Sequence, residues 1–269
     1  MLYKRVYLID DNSDVYIDAY VADEIAGFTR NAIIVVPGGG YGEVCSEREG
    51  EPIAMAFIPH GYNAFVLHYS VGRQKTFPSQ LVELSMAVKH IKDNAEEYNV
   101  DKDKVFVIGF SAGGHLAGSL AQMWNRKEIY EAIDMPYGYN KPCGAMLIYP
   151  VVSGVEEYAS MESFKNLLGT ENPSHEELAD ASLEKYVGEH SVPLYIMHTS
   201  NDELVDVRNS LKLAEIYREN NLNFELHIYP DAPHGIALAN KITKCGCEKW
   251  DNKAISKWVE NVMIWADNL

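Results

Sequence analysis

Uninterrupted apolar runs of strand length, many of their residues β-branched, punctuate the chain at 31–36, 64–69, 105–110 and 145–152. A run of this kind predicts a strand covered on both faces, as in a parallel sheet. The beginning of the chain differs. Residues 4–9 and 15–21 alternate polar and apolar positions, and Asp10-Asp11-Asn12-Ser13-Asp14 between them is dense in turn formers, which predicts an antiparallel hairpin. Further strands are expected at 193–200 and 223–229. In 78–98, Leu81, Leu84, Val88, Ile91 and Ala95 recur at helical spacing and predict an amphipathic helix over one sheet face. Helices are also expected at 49–59, 206–219 and 250–265, and a loop at 131–141. Strands alternating with helices specify an α/β fold with a mostly parallel central sheet, an antiparallel N-terminal hairpin and helices on both faces.

No low-complexity linker interrupts the pattern, so residues 1–269 read as a single domain. Residues 153–191 break the rhythm. They are polar and acidic with short helical pieces at 161–168 and 174–181, and they follow a strand at the sheet's carboxyl edge, which makes them a candidate lid or substrate wall.

A hydrophobic content of 47% supports a sizeable core, and a net charge of −16 repels nucleic acid and anionic membranes. The expected partner is therefore a neutral small molecule, with no nucleic acid and no membrane; a homo-oligomer is compatible with the composition. Residues 1–10 break into charge too early for a signal peptide, and no apolar run reaches membrane-spanning length, so the expected location is cytoplasmic. Cys45, Cys143, Cys245 and Cys247 are too scattered for a disulfide framework. The Cys245-Gly246-Cys247 pair has no second pair at zinc-ligand spacing and reads as loop thiols. No metal and no cofactor are expected.

The chemistry concentrates at Gly109-Phe110-Ser111-Ala112-Gly113. A buried strand running into Gly-x-Ser-x-Gly and then a small-residue helix is the context of a nucleophile elbow. The serine sits on a tight turn, and the positions two before and two after it must be nearly free of side chain for strand and helix to approach. Ser111 then stands at a helix start, where the N–H of Ala112 and the helix dipole favour developing negative charge. The loop Pro37-Gly38-Gly39-Gly40-Tyr41-Gly42 follows an early strand and holds four glycines in six residues. It suits presentation of the Gly39 and Gly40 N–H groups as further oxyanion donors. A phosphate loop is excluded by the missing Lys-Ser/Thr and by spacing that does not fit a dinucleotide fold.

The strand at 193–200 discharges into Asn201-Asp202-Glu203, and the strand at 223–229 into Pro233-His234-Gly235. Serine, acid and histidine thus occur in chain order, each in a loop after a strand, where open parallel sheets place their sites. Ser111, Asp202 and His234 are the catalytic candidates. Among other histidines, His68, His198 and His227 lie in or at the ends of strands and read as core or supporting residues, and His115 as packing beneath the elbow. Asp206, expected to cap a helix, and Asp231, in the histidine's own loop, are rivals for the acid.

Together Pro37-Gly38-Gly39-Gly40-Tyr41, Gly109 to His115, 201–205 and Pro233-His234-Gly235 resemble the α/β-hydrolase esterases. Within them the chain is most similar to the small carbohydrate acetylesterase and feruloyl-esterase-like branch, of the acetyl xylan esterase type. Two departures stand out: Pro37 replaces the histidine of the hormone-sensitive-lipase group, and Asp206 stands where many relatives carry proline. The resemblance implies an α/β-hydrolase fold and a metal-free serine hydrolase acting on short acyl esters, such as acetyl groups on plant-cell-wall sugars. An arylformamidase-like amide hydrolase would use the same groups. A serine peptidase of the prolyl-oligopeptidase type would need a propeller that 269 residues do not hold. A non-catalytic binding protein on the same scaffold would ordinarily have lost one of the three residues.

Overall fold

The apolar runs form the middle of a sheet whose parallel strands all end at one edge. A computed structural model describes residues 1–10, 14–73 and 75–269 of the chain. The strands are β1 (Leu2–Tyr7), β2 (Tyr16–Val21), β3 (Arg30–Val36), β4 (Tyr62–His68), β5 (Val100–Phe110), β6 (Ala145–Ile148), β7 (Leu194–Thr199) and β8 (Phe224–Tyr229). Among the described residues they make one sheet in the order β1-β2-β4-β3-β5-β6-β7-β8. The expected hairpin is present, with β1 and β2 antiparallel and β2 antiparallel to β4, while every pair from β4–β3 to β7–β8 is parallel. Residues 11–13 of the expected hairpin turn lie outside the described residues.

The helices are α1 (Ser46–Glu49), α2 (Glu51–Phe57), α3 (Ser79–Asp93), α4 (Ala112–Met123), α5 (Lys127–Ala132), α6 (Met161–Leu168), α7 (His175–Asp180), α8 (Arg208–Glu219) and α9 (Trp258–Asp267). The period of two in a strand sorts the core into two layers. Ala32, Ile34, Val36, Val105 and Val107 pack with α3, α4 and α8. Ile33, Val35, Phe106, Ile108 and Phe110 pack on the other face with α2 and α9. Both faces are buried, which is why these strands carry no polar alternation.

Several boundaries differ from expectation, each for a local reason. The helix expected at 49–59 is two helices broken at Gly50, where a Cβ would lie 2.5 Å from the Ser46 carbonyl oxygen. The helix expected to reach 98 stops at Asp93, where the Asn94 side chain donates to the His90 carbonyl. The strand expected to run to 152 stops at Ile148, because Tyr149 turns into positive φ (39°) and Pro150 has no N–H to give a ladder. Residues 127–132 are helical where the loop was expected to begin. The last helix starts at Trp258 instead of 250; ahead of it the Asn252 side chain accepts from the Ala254 and Ile255 amides in a turn.

Parallel register brings the carboxyl ends together, with Val36 opposite Gly109, Phe110 opposite Ile148, Ile148 opposite Met197 and Thr199 opposite Tyr229. The loops that follow β3, β5, β6, β7 and β8 therefore converge on one edge.

Candidate active site

Ser111 joins β5 to α4 with φ 54° and ψ −117°, a conformation that only a tightly determined turn sustains. A Cβ on Gly109 would lie 2.0 Å from the Gly113 carbonyl oxygen, and one on Gly113 would lie 2.1 Å from that of Val36. Both glycines are therefore demanded by the approach of helix to strand. Main-chain bonds lock the turn from the neighbouring strand end: the Ser111 N–H donates to the Ile148 carbonyl at 3.0 Å, and the Val151 N–H donates to the Ser111 carbonyl at 3.2 Å.

The three candidates meet in a line. The Ser111 Oγ lies 2.8 Å from His234 Nε2, and His234 Nδ1 lies 2.6 Å from Asp202 Oδ2. The histidine is fixed from several sides. Its carbonyl accepts the Trp250 indole N–H at 3.0 Å, its ring stands edge-on to Tyr149 at 4.9 Å, and Gly235 after it takes φ 79°.

Asp202 sits in a cradle of donors. Its Oδ1 accepts the N–H groups of Leu204 and Val205 at 3.0 and 2.9 Å, and its Oδ2 faces both His234 and, at 3.3 Å, His198 Nε2. Burial alone would raise this carboxyl, but the hydrogen bonds from His198, His234 and the Val205 amide outweigh it and hold the group well below the usual carboxylate range. An ionised Asp202 keeps the proton on His234 Nδ1, leaving Nε2 to accept from the Ser111 hydroxyl.

The same lowering has a consequence for stability. A carboxylate whose folded pKa lies below its unfolded value of about 3.9 stabilises the fold in full above roughly pH 5 and loses that contribution as pH falls toward the folded value. In urea denaturation the wild-type advantage over Asp202→Asn is expected to shrink between about pH 5 and pH 3. A gap that holds constant over that range would contradict the lowered pKa.

The rival acids lie elsewhere. Asp206 accepts the backbone N–H of Arg208 at 2.8 Å and pairs with its guanidinium at the entry to α8, and Asp231 holds φ 62° at the start of the loop that carries His234. His115 is fully buried, accepts from the Tyr41 hydroxyl and donates to the Ala181 carbonyl, each at 2.7 Å; burial pushes its pKa down to about 4, so the ring is neutral. His198 is buried too, against Val205 and Ser210, and its contact with Asp202 assigns the supporting place expected for it.

The glycine loop presents two free amides. The Gly38 N–H is taken by Glu49 Oε2 at 2.9 Å, whereas those of Gly39 and Gly40 meet no acceptor among the described residues. Gly39 (φ 127°) and Gly40 (φ 61°) both need the freedom of glycine. Ala112 is the first residue of α4, where an N–H has no partner within the helix. The loop is tied down around these groups: the Tyr69 hydroxyl donates to the Pro37 carbonyl at 2.8 Å, and the Asn166 side chain to that of Gly40 at 3.0 Å.

Ser111, His234, Gly39 and Gly40 open onto a cavity of about 590 Å³. Residues 159–163 and Asn166, from the polar excursion, form one side of it, and Leu204 and Val205 another. Its charged lining is three carboxylates, Glu43, Glu49 and Glu162, against one guanidinium, Arg48. Pairing and burial make Arg48, Glu49, Tyr149 and Asn166 part of the site, and no motif announced them. Glu49 was legible only as a helix residue, and Asn166 only as a polar position in a short helical piece.

A mostly parallel sheet with this elbow and these strand-end loops defines an α/β hydrolase. The BD-FAE family profile matches residues 17–217, and the chain belongs to that family; the dienelactone hydrolase family profile also matches, over 173–266. An acetyl ester-xyloside bifunctional hydrolase from Caldicellulosiruptor lactoaceticus superposes with a TM-score of 0.81 at 28% identity, over 98% of this chain and 96% of that one. Endo-1,4-beta-xylanase B of Butyrivibrio fibrisolvens is 39% identical over 216 residues, 78% of this chain and 33% of the relative. Acetylxylan esterase of Xylanibacter ruminicola is 30% identical over 211 residues, 77% of this chain and 41% of the relative. The chain thus spans well under half the length of these two curated relatives. The branch the motifs resembled is the one in which it falls. Among the described residues no helix is long and apolar enough to cross a membrane.

Proposed function

We propose that the chain is a serine carboxylic-ester hydrolase that removes short acyl groups, acetyl above all, from carbohydrate esters. The observation that carries this reading is the hydrogen-bonded line from Asp202 through His234 to Ser111 at the wall of a cavity. Ser111 Oγ attacks the acyl carbonyl while His234 Nε2 takes its proton. The resulting oxyanion is held by the N–H groups of Gly39, Gly40 and Ala112; losing one such donor typically costs about 10²–10³ in rate. Collapse breaks the ester C–O bond, and His234 returns the proton to the departing alcohol. Water, deprotonated by the same imidazole, then releases the acid and restores Ser111. Asp202 holds the imidazole in the working tautomer and balances the imidazolium charge.

The cavity supports the substrate class. Its excess of carboxylates disfavours an anionic substrate, and Ser160, Ser163 and Asn166 offer hydrogen-bonding groups suited to a hydroxylated alcohol. In this reading residues 153–191 supply a substrate wall. The acetylxylan esterase of Xylanibacter ruminicola and the acetyl ester-xyloside hydrolase of Caldicellulosiruptor lactoaceticus favour the acetyl group.

The test is a p-nitrophenyl ester series from acetate to decanoate beside acetylated xylo-oligosaccharides, with Ser111→Ala as blank. Serine-dependent turnover is expected to be greatest on acetate and on the acetylated sugar. Absence of serine-dependent turnover on every ester, with turnover of formyl amides instead, would transfer the chain to the arylformamidase-like reading.

A further inference from the structure

Beyond the three aligned side chains, one buried carboxylate touches the glycine loop directly and reaches the histidine loop through its partners. Glu49, the last residue of α1, is 2% exposed and reaches in two directions. Its Oε2 accepts the Gly38 N–H at 2.9 Å, next to the two free amides of the glycine loop. Its Oε1 accepts the Tyr149 hydroxyl at 2.9 Å and lies 3.4 Å from Arg48 Nη2.

Both of those partners continue to the histidine loop. The Tyr149 hydroxyl accepts the Ala237 N–H at 3.0 Å, and its ring flanks His234. Arg48 Nη1 donates to the Gly235 carbonyl at 3.0 Å while its guanidinium lies 4.5 Å over Trp250, whose indole N–H holds the His234 carbonyl. The contact at Gly38 admits no side chain, because a Cβ there would lie 2.8 Å from both Glu49 Oε2 and the Phe110 carbonyl oxygen. The carboxylate is thereby pressed against the loop.

We propose that Glu49 is a positioning residue that sets the distance between the oxyanion donors and the imidazole base. The inference rests on the serine-hydrolase reading and adds to it a residue whose hydrogen bonds and ion pair go to Gly38, Tyr149 and Arg48 and not to the three aligned side chains. Physically, the need is plain. The Gly39 and Gly40 N–H groups meet no acceptor among the described residues, and the N–H of their neighbour Gly38 is held by a side chain instead of by a sheet ladder. A displacement of about 1 Å between donor and base is enough to cost on the order of 10² in rate. A carboxylate offers one acceptor oxygen to the glycine loop and the other to the Tyr149 and Arg48 side chains that hold the histidine loop. Glutamine keeps the length and volume, but its NH₂ group either faces the Gly38 N–H and breaks that tether, or faces Tyr149, where it reverses the bond, leaves the phenol hydrogen unpaired and turns a donor toward Arg48.

The experiment compares wild type, Glu49→Gln, Tyr149→Phe and the double variant, all checked for folding by thermal denaturation. Steady-state kinetics on p-nitrophenyl acetate are read beside the rate at which a fluorophosphonate labels Ser111. Glu49→Gln is expected to lower kcat by about 10² with KM within about threefold, and to slow labelling by a similar factor. Tyr149→Phe, which keeps every carbon, should lower kcat by about tenfold. The double variant should lose less than the product of the single losses, because the two groups share one tether.

A folded Glu49→Gln protein with wild-type kcat and labelling rate, merely melting at a lower temperature, would overturn the inference, as would fully multiplicative losses. Should Glu49→Gln not fold, wild-type kcat in Tyr149→Phe overturns it equally. Wild-type protein that the fluorophosphonate does not label would overturn the serine-hydrolase reading itself, and the inference with it.

Discussion

Replacing Ser111 by alanine is expected to lower kcat on p-nitrophenyl acetate by on the order of 10⁶, and His234→Ala by about as much. The reason lies in their 2.8 Å contact. An unassisted serine hydroxyl is a poor nucleophile, and an imidazole with no hydroxyl to activate does nothing, so each loss removes the same function. The double variant should therefore be little worse than either single one. What remains is catalysis by the oxyanion donors and by binding, about 10³–10⁴ over water. Steady-state rates of the three variants test this, and a double variant slower by a further hundredfold or more would show that the two side chains act separately. Equal activity in wild type and Ser111→Ala would remove Ser111 from the mechanism.

The second large effect is expected at Asp202, where Asp202→Asn should lower kcat by about 10⁴ near neutral pH. The substitution is nearly isosteric, so the loss comes from protonation and not from shape. Asparagine can keep an oxygen toward the Leu204 and Val205 amides, which then points its NH₂ group at His234 Nδ1. The imidazole answers by moving its proton to Nε2, where it can no longer accept from Ser111. His198 does not rescue the arrangement, since its Nε2 also donates to the Val205 carbonyl at 2.9 Å. Kinetics of Asp202→Asn across pH check this, and near-wild-type rates would pass the acid's role to Asp206 or Asp231. The Arg208 contacts of Asp206 speak against the first of these.

How far the fold and site could be read from residues alone follows from which forces are local. The strands of the sheet centre were legible because burial on both faces leaves a continuous apolar run, as at 105–110. The elbow was legible because two steric demands and one nucleophile fall within five residues. Element ends were less so: α3 ends at the Asn94 side chain, and β6 ends at the left-handed Tyr149, neither of which has a periodic signature. Least visible were groups whose meaning comes from partners far along the chain. Glu49 meets Tyr149 across 100 positions, and Asn166 meets Gly40 across 126. In the sequence each is one more polar residue on a helix. Only the sheet, by drawing its strand ends together, gives them neighbours.

The origin of the cavity's side has an evolutionary consequence. Residues 159–163 and Asn166 come from an excursion between β6 and β7, whereas Ser111, Asp202 and His234 come from strand-end loops of the sheet itself. On the proposed reading, reactivity and selectivity are encoded in separable stretches of the gene. Drift within codons 159–166 of the excursion could then change which alcohol is accepted while the bond-breaking apparatus is inherited intact. Stitches that join the two inheritances, Asn166 to the Gly40 carbonyl and Ser160 to the Leu204 carbonyl, are where such drift would meet resistance.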